Sequence, residues 1–157
     1  MSAAAEAWVR GFADGWRAPS GAGGLADHFA PLVDPQIRLL QPQMPELVGP
    51  DALRRGFAEP LFALIPDLHA TVVEWAVRGD VAMIEIELEG TLGGRPIALR
   101  AVDKVTLRDG LAIERRTYFD PGPLLAATLT RPRAWPRFVL AQAKQLRYRL
   151  RKGARNA

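Results

Sequence analysis

The clearest pattern along the chain is the strict alternation that opens residues 81–120. Ile84, Ile86 and Leu88 take one side of an extended strand, and Glu85, Glu87 and Glu89 take the other. Gly93-Gly94 and Arg108-Asp109-Gly110 then punctuate the segment, which predicts three antiparallel strands joined by a tight turn and a three-residue turn. With that second turn, Leu107 pairs with Leu111, Val105 with Ile113 and Asp103 with Arg115. Ala101, Asp103, Val105 and Leu107 then share a face with Leu111, Ile113, Arg115, Thr117 and Phe119. Pairing across the first turn brings Glu87 to Arg100, so the acidic row shares the opposite face with Arg100, Lys104 and Arg116. Opposite charges across strands suit a solvated face.

Helical spacing dominates earlier. Trp8, Phe12 and Trp16 repeat every fourth position, predicting a helix over residues 2–16 capped by Ser2. Glycine-rich residues 18–24 predict a loop, and residues 25–30 a short helix that carries His28 and stops at Pro31. A short strand follows at 36–40. The proline-punctuated loop after it holds Met44, Leu47 and Val48, apolar enough to cover something. Pro50 starts another helix with a stripe of Leu53, Phe57, Leu61 and Leu64. Pro60 removes a backbone donor inside it and predicts a kink around 56–61. Residues 69–78 predict a strand with Thr71, Val73, Trp75 and Val77 on one face. A run of helices followed by a run of strands indicates an α+β fold, with the three N-terminal helices on one face of a curved antiparallel sheet. The expected organisation is one domain over residues 1–127 and a basic amphipathic helix over 128–157.

Charge sharpens that division. The net charge of +4 conceals twelve bases against seventeen acids in residues 1–120 and nine bases with no acid in 121–157. Trp135, Val139, Ala143, Leu146 and Leu150 make an apolar stripe beside Arg137, Lys144, Arg147 and Arg151. Such a helix can dock on its own domain or on a partner copy through that stripe. Alternatively, residues 131–155 can meet an anionic membrane surface. The lack of interleaved aromatics argues against nucleic acid. No apolar run is long enough to span a membrane, and residues 1–12 lack a basic signal-type start, so the expected location is cytoplasmic, with membrane association through the final helix as the variant. The absence of cysteine removes thiol chemistry, and two separated histidines offer no metal site. No cofactor is expected.

Asp103 is the one carboxylate on the apolar face, with Arg115 beside it. These two are the candidate catalytic pair. Trp16, Gln41, Met44, Phe57, Ile86, Thr117 and Phe119 are the candidate ligand-binding residues. The plainer alternative is a buried ion pair that only stabilises the fold.

Three segments carry a resemblance: LVGPDAL entering the third helix, ALRAVDKVTLRDG, and IERRTYFDPGPLL. With the order of elements over about residues 5–127, they resemble the nuclear transport factor 2-like superfamily, which includes ketosteroid isomerase, limonene epoxide hydrolase and the SnoaL-like polyketide cyclases. The resemblance implies a cone-shaped fold, an apolar pocket and a homodimer. It places Asp103 where ketosteroid isomerases keep an oxyanion-hole aspartate, while their general base falls at positions 39–41, which hold no acid. The oxyanion tyrosine falls near Gly11 or Phe12. The catalytic aspartate of limonene epoxide hydrolase falls on Thr117, and its Arg-x-Asp pair near positions 84–87. SnoaL-like proteins match best overall. The resemblance therefore implies a pocket protein for a small apolar, ketone-bearing molecule, using Asp103 for cofactor-free isomerase- or cyclase-type acid/base chemistry. The alternatives are a non-catalytic ligand-binding or dimerisation module with a docking tail, and an epoxide hydrolase-like enzyme.

Overall fold

The alternating stretch becomes the middle of a six-stranded sheet. The computed structural model describes residues 3–155, so the cap expected at Ser2 lies outside the described residues. In chain order the elements are α1 (Ala3–Arg17), α2 (Gly21–Phe29), β1 (Val33–Leu40), β2 (Leu47–Val48), α3 (Glu59–Leu64), β3 (His69–Arg78), β4 (Val81–Leu92), β5 (Arg95–Arg108), β6 (Leu111–Tyr118), α4 (Gly122–Thr130) and α5 (Trp135–Arg155). The strands lie in the order β2-β1-β6-β5-β4-β3. Neighbours are antiparallel except β1 and β6, which run parallel and are not joined by a turn. Ile84, Ile86, Ala101, Asp103, Val105 and Leu107 are buried on the inner face, and α1 packs across β3 and β4.

The first turn is as expected. Gly93 and Gly94 both take positive φ, and Glu87 pairs with Arg100. Arg100 reaches Glu85 at 2.9 Å and Glu87 at 3.9 Å, forming the outer charged ladder. The second turn differs. Asp109 and Gly110 alone form it, both at positive φ, and Arg108 pairs with Leu111. Leu107 therefore pairs with Ala112, which turns Ala112 rather than Leu111 and Ile113 inward. The register shifts again between Thr106 and Leu107 because Ile113 is bulged out, and this restores the inward side of Arg115 and Thr117. Asp103 consequently pairs with Thr117, and Arg115 sits opposite Val105.

Three further local expectations are corrected. A register shift between Val72 and Glu74 breaks the predicted face of β3: Val72 pairs with inward Ile86, Thr71 with outward Glu87, and Val73 stays exposed. The glycine-rich residues 21–24 are helical, because α2 buries Leu25, Ala26 and Phe29 and extends back to that anchor. The kink at Pro60 takes the form of a π-helical segment, Ala52–Ala58, running into α3. The Glu59 amide bonds the Arg54 carbonyl five residues back, the wider winding that a missing proline donor favours one residue on.

The final helix docks on the domain, but not through the expected stripe. Ala141 is buried, Phe138 and Tyr148 pack on the core, and Lys144 lies 3.8 Å from Glu59. Of the expected stripe, Trp135, Val139, Leu146 and Leu150 point away and are exposed, and Ala143 is half-buried. Arg131 ties the approach to α5 onto the β4–β5 hairpin, donating to the carbonyls of Leu92, Arg95 and Pro96 at 3.1–3.2 Å. The domain boundary expected after residue 127 falls inside α4.

Candidate functional site

Neighbouring strands bring three polar side chains into the core. Asp103, on β5, has no exposed surface. On β6, Arg115 Nε and Nη2 lie 2.9 Å and 2.8 Å from Asp103 Oδ2, and Thr117 Oγ1 donates to Oδ1 at 2.5 Å. Both carboxylate oxygens are thus engaged, which a buried charge requires. The guanidinium also sits among three aromatic rings. Its carbon lies 5.1 Å from the centre of Phe57, 5.7 Å from Phe12 and 5.8 Å from Trp16. Ring faces attract a cation most strongly when water is kept out. The helical four-residue spacing of Phe12 and Trp16 and the π-helical segment carrying Phe57 build this cage.

Beside it lies a cavity of about 10 Å³, lined by Trp8, Phe12, Trp16, Leu25, Phe29, Phe57 and Arg115 among others. That is room for roughly one water-sized group. Arg115 forms part of the wall; Asp103 does not. Trp16 is 1% exposed, and its Nε1–H is the one buried side-chain polar atom without a hydrogen-bond partner among the described residues. An indole N–H can only donate, and a guanidinium has no acceptor. The polar side chains among the lining residues are therefore donors, suited to an acceptor oxygen and not to a proton donor.

A second space lies at the mouth of the cone. It is a cleft of about 190 Å³ between the loop after β1, α3, α4 and α5. Gln41, Met44, Phe57, Leu61, Phe119 and Phe138 supply its walls, with Gln142 and Gln145 from α5. No charged side chain lines it. Phe57 borders both spaces and so separates them. Among the expected binding residues, Trp16 and Phe57 meet at the inner cavity, and Gln41, Met44, Phe57 and Phe119 at the outer cleft. Thr117 is bonded to Asp103 and also lines a shallow depression with Gln41 and Met44. Ile86 is buried on β4, opposite Val72 of β3, and borders none of these spaces.

The SnoaL-like domain model matches residues 5–115. The chain belongs to the SnoaL-like family. Among solved structures, a protein from Jannaschia sp. described as a SnoaL-like polyketide cyclase is 25% identical, with a TM-score of 0.69 over 82% of this chain and 93% of that one. A protein with a ketosteroid isomerase-like fold from Catenulispora acidiphila is 19% identical, with a TM-score of 0.66 over 82% and 95%. AclR from Streptomyces galilaeus is 18% identical, with a TM-score of 0.65 over 81% and 96%. A search among curated proteins found no match.

This SnoaL-like match ends at Arg115, so the α5 wall of the outer cleft lies beyond it. Sequence reasoning treated that helix as a separate tail and missed Phe138, Gln142 and Gln145. The available signal was a second, weaker apolar face, formed by Phe138, Ala141 and Tyr148. His28 and His69 lie away from both spaces. His28 Nε2 meets the Gly11 carbonyl at 2.7 Å, and His69 Nδ1 meets the Asp67 carbonyl at 3.1 Å. Among the described residues no cluster of potential metal ligands occurs.

Proposed function

We propose that this chain binds a small, largely apolar molecule through a carbonyl oxygen, and that Arg115 and Trp16 polarise that oxygen. The observation that carries the reading is that Trp16, whose buried Nε1–H has no partner among the described residues, and Arg115 both line one otherwise apolar cavity. Arg115 stays in place because Asp103 and the aromatic cage hold it, and Asp103 is in turn held by Thr117. Preorganised donors in a water-poor site stabilise negative charge as it develops on oxygen, the requirement of enolisation and of aldol-type cyclisation. The ligand's apolar body would lie in the outer cleft, with Phe57 moving aside to admit its oxygen. The cleft's amides suit a neutral molecule. Asp103 would act as the proton-transfer group only if a ligand loosened its bonds to Arg115 and Thr117, so its first role is to position Arg115. This is cofactor-free isomerase- or cyclase-type chemistry.

Matched ligands test the reading. Aromatic ketones of one to three rings, 1-indanone first, are compared with their hydrocarbon counterparts by titration calorimetry. The ketones should bind more tightly, and Arg115→Met should erase the difference. Equal affinity for ketone and hydrocarbon would sink the proposal.

The small inner volume favours a second reading, a non-catalytic binding module whose Asp103–Arg115 pair is purely structural. Under that reading ligands would occupy the outer cleft alone and remain insensitive to Trp16→Phe.

A further inference from the structure

Helix α5 has two apolar faces, and the domain covers only one. The docked face carries Phe138, Ala141 and Tyr148. At roughly 100° per residue, Val139, Leu146 and Leu150 fall on the opposite side of the helix. Val139 and Leu150 are each 65% exposed, Leu146 is 57% exposed, and Trp135 lies half-exposed at the helix start. Leu125 and Leu129 of α4 add further exposed apolar surface. Arg147, Arg149 and Arg151 flank this outer face, and residues 121–157 contain no acid to neutralise them.

We propose that the outer face of α5 docks on an anionic lipid surface, the helix lying in the plane of the bilayer interface. Charge selects this occupant. A second copy packed through the same face would bring two sets of flanking arginines together with no acid on either helix, and like charges across a symmetric interface oppose association. An anionic surface attracts these residues while the acyl boundary takes Val139, Leu146 and Leu150, with Trp135 at headgroup level. No helix among the described residues is long and apolar enough to cross a membrane, so the contact is peripheral. The same helix contributes Phe138, Gln142 and Gln145 to the outer cleft, so docking would hold the cleft beside the lipid. The inference is independent of what the cleft binds.

The test uses the full chain and two sets of vesicles, phosphatidylcholine alone and phosphatidylcholine mixed with phosphatidylglycerol. Co-sedimentation should occur with the mixed vesicles, weaken with added salt, and shift Trp135 fluorescence to the blue, a change that Trp135→Phe removes. Leu146→Gln/Leu150→Gln and Arg147→Gln/Arg151→Gln leave the docked face intact and should each weaken binding by about tenfold or more. Equal recovery with either vesicle, or binding untouched by both double variants, would overturn the proposal. A dimer in solution that Leu146→Gln/Leu150→Gln dissolves, without vesicle binding, would also overturn it and assign the face to a second copy.

Discussion

Arg115 grips Asp103 through two nitrogens that converge on a single carboxylate oxygen, Nε at 2.9 Å and Nη2 at 2.8 Å, while Thr117 holds the other oxygen. Asp103 is wholly buried and absent from the cavity wall, whereas Arg115 is part of it. Breaking one side of such a pair leaves an uncompensated buried group. Arg115→Met and Asp103→Asn should each cost about 3–5 kcal/mol in urea unfolding. The double variant should lose clearly less than the two losses added together. Strict additivity would show that the two side chains are not coupled.

Trp16→Phe separates a donor from its packing. The substitution keeps an aromatic ring but removes a buried donor that has no partner among the described residues. Relief of the unsatisfied donor offsets part of the packing lost with the smaller ring, so stability without ligand should fall by less than in Arg115→Met. Ketone affinity should fall by about two- to thirteenfold, the range for one lost hydrogen bond of roughly 0.5–1.5 kcal/mol. Hydrocarbon affinity should not change. A loss of stability with no change in ketone affinity would make Trp16 a packing residue only.

These roles were only partly legible in the sequence, and the reasons are physical. Alternation of isoleucine and glutamate in β4 has one extended solution that buries the apolar side, so the faces and the Glu87–Arg100 register could be read directly. The far side of β5 could not. The expected three-residue turn displaces β6 by one residue, and the bulge at Ile113 displaces it by another, so Arg115 and Thr117 face inward although their predicted partners were wrong. Nothing local at Ile113 announces a bulge; burial of Ala112 and Arg115 together demands it. In α5, hydrophobicity singled out the stripe of Val139, Leu146 and Leu150, yet docking uses the face with Ala141 and Tyr148. Fit decides there. Gly56 leaves so little room that an added methyl would come within 3.1 Å of Tyr148.

Gly90 marks a similar close approach on β4, where the chain turning out of α3 crosses the strand. A methyl at Gly90 would come within 2.4 Å of Ile65 Cγ2 and 3.4 Å of the Leu68 backbone. Ile65 and Leu68 are both buried, so neither has free space to retreat into. Gly90→Ala should lower stability by about 1–3 kcal/mol, the usual cost of overpacking. The Ile65→Leu/Gly90→Ala combination should recover part of that loss in thermal unfolding, because leucine lacks the Cγ2 branch that supplies the nearest atom. No recovery would place the strain in the Leu68 backbone.

Asp67 gives the fold a pH signature that is separate from the site. Its Oδ1 accepts the Thr91 amide at 2.8 Å, which ties the crossing chain to β4. Hydrogen bonds from the Thr91 side chain and then its backbone hold the carboxyl below its ordinary value of 3.8. Above that value the group is ionised in both folded and unfolded chains, and the bonds contribute in full. As pH falls, the unfolded chain takes up the proton first, so stability drops until the lower folded value has been passed. Asp67→Asn can still accept from Thr91 but has no charge to titrate. It should lower the urea midpoint at neutral pH and narrow the gap from wild type as pH falls through the carboxylate range. A gap that stays constant across that range would mean that the charge on Asp67 contributes nothing to the fold.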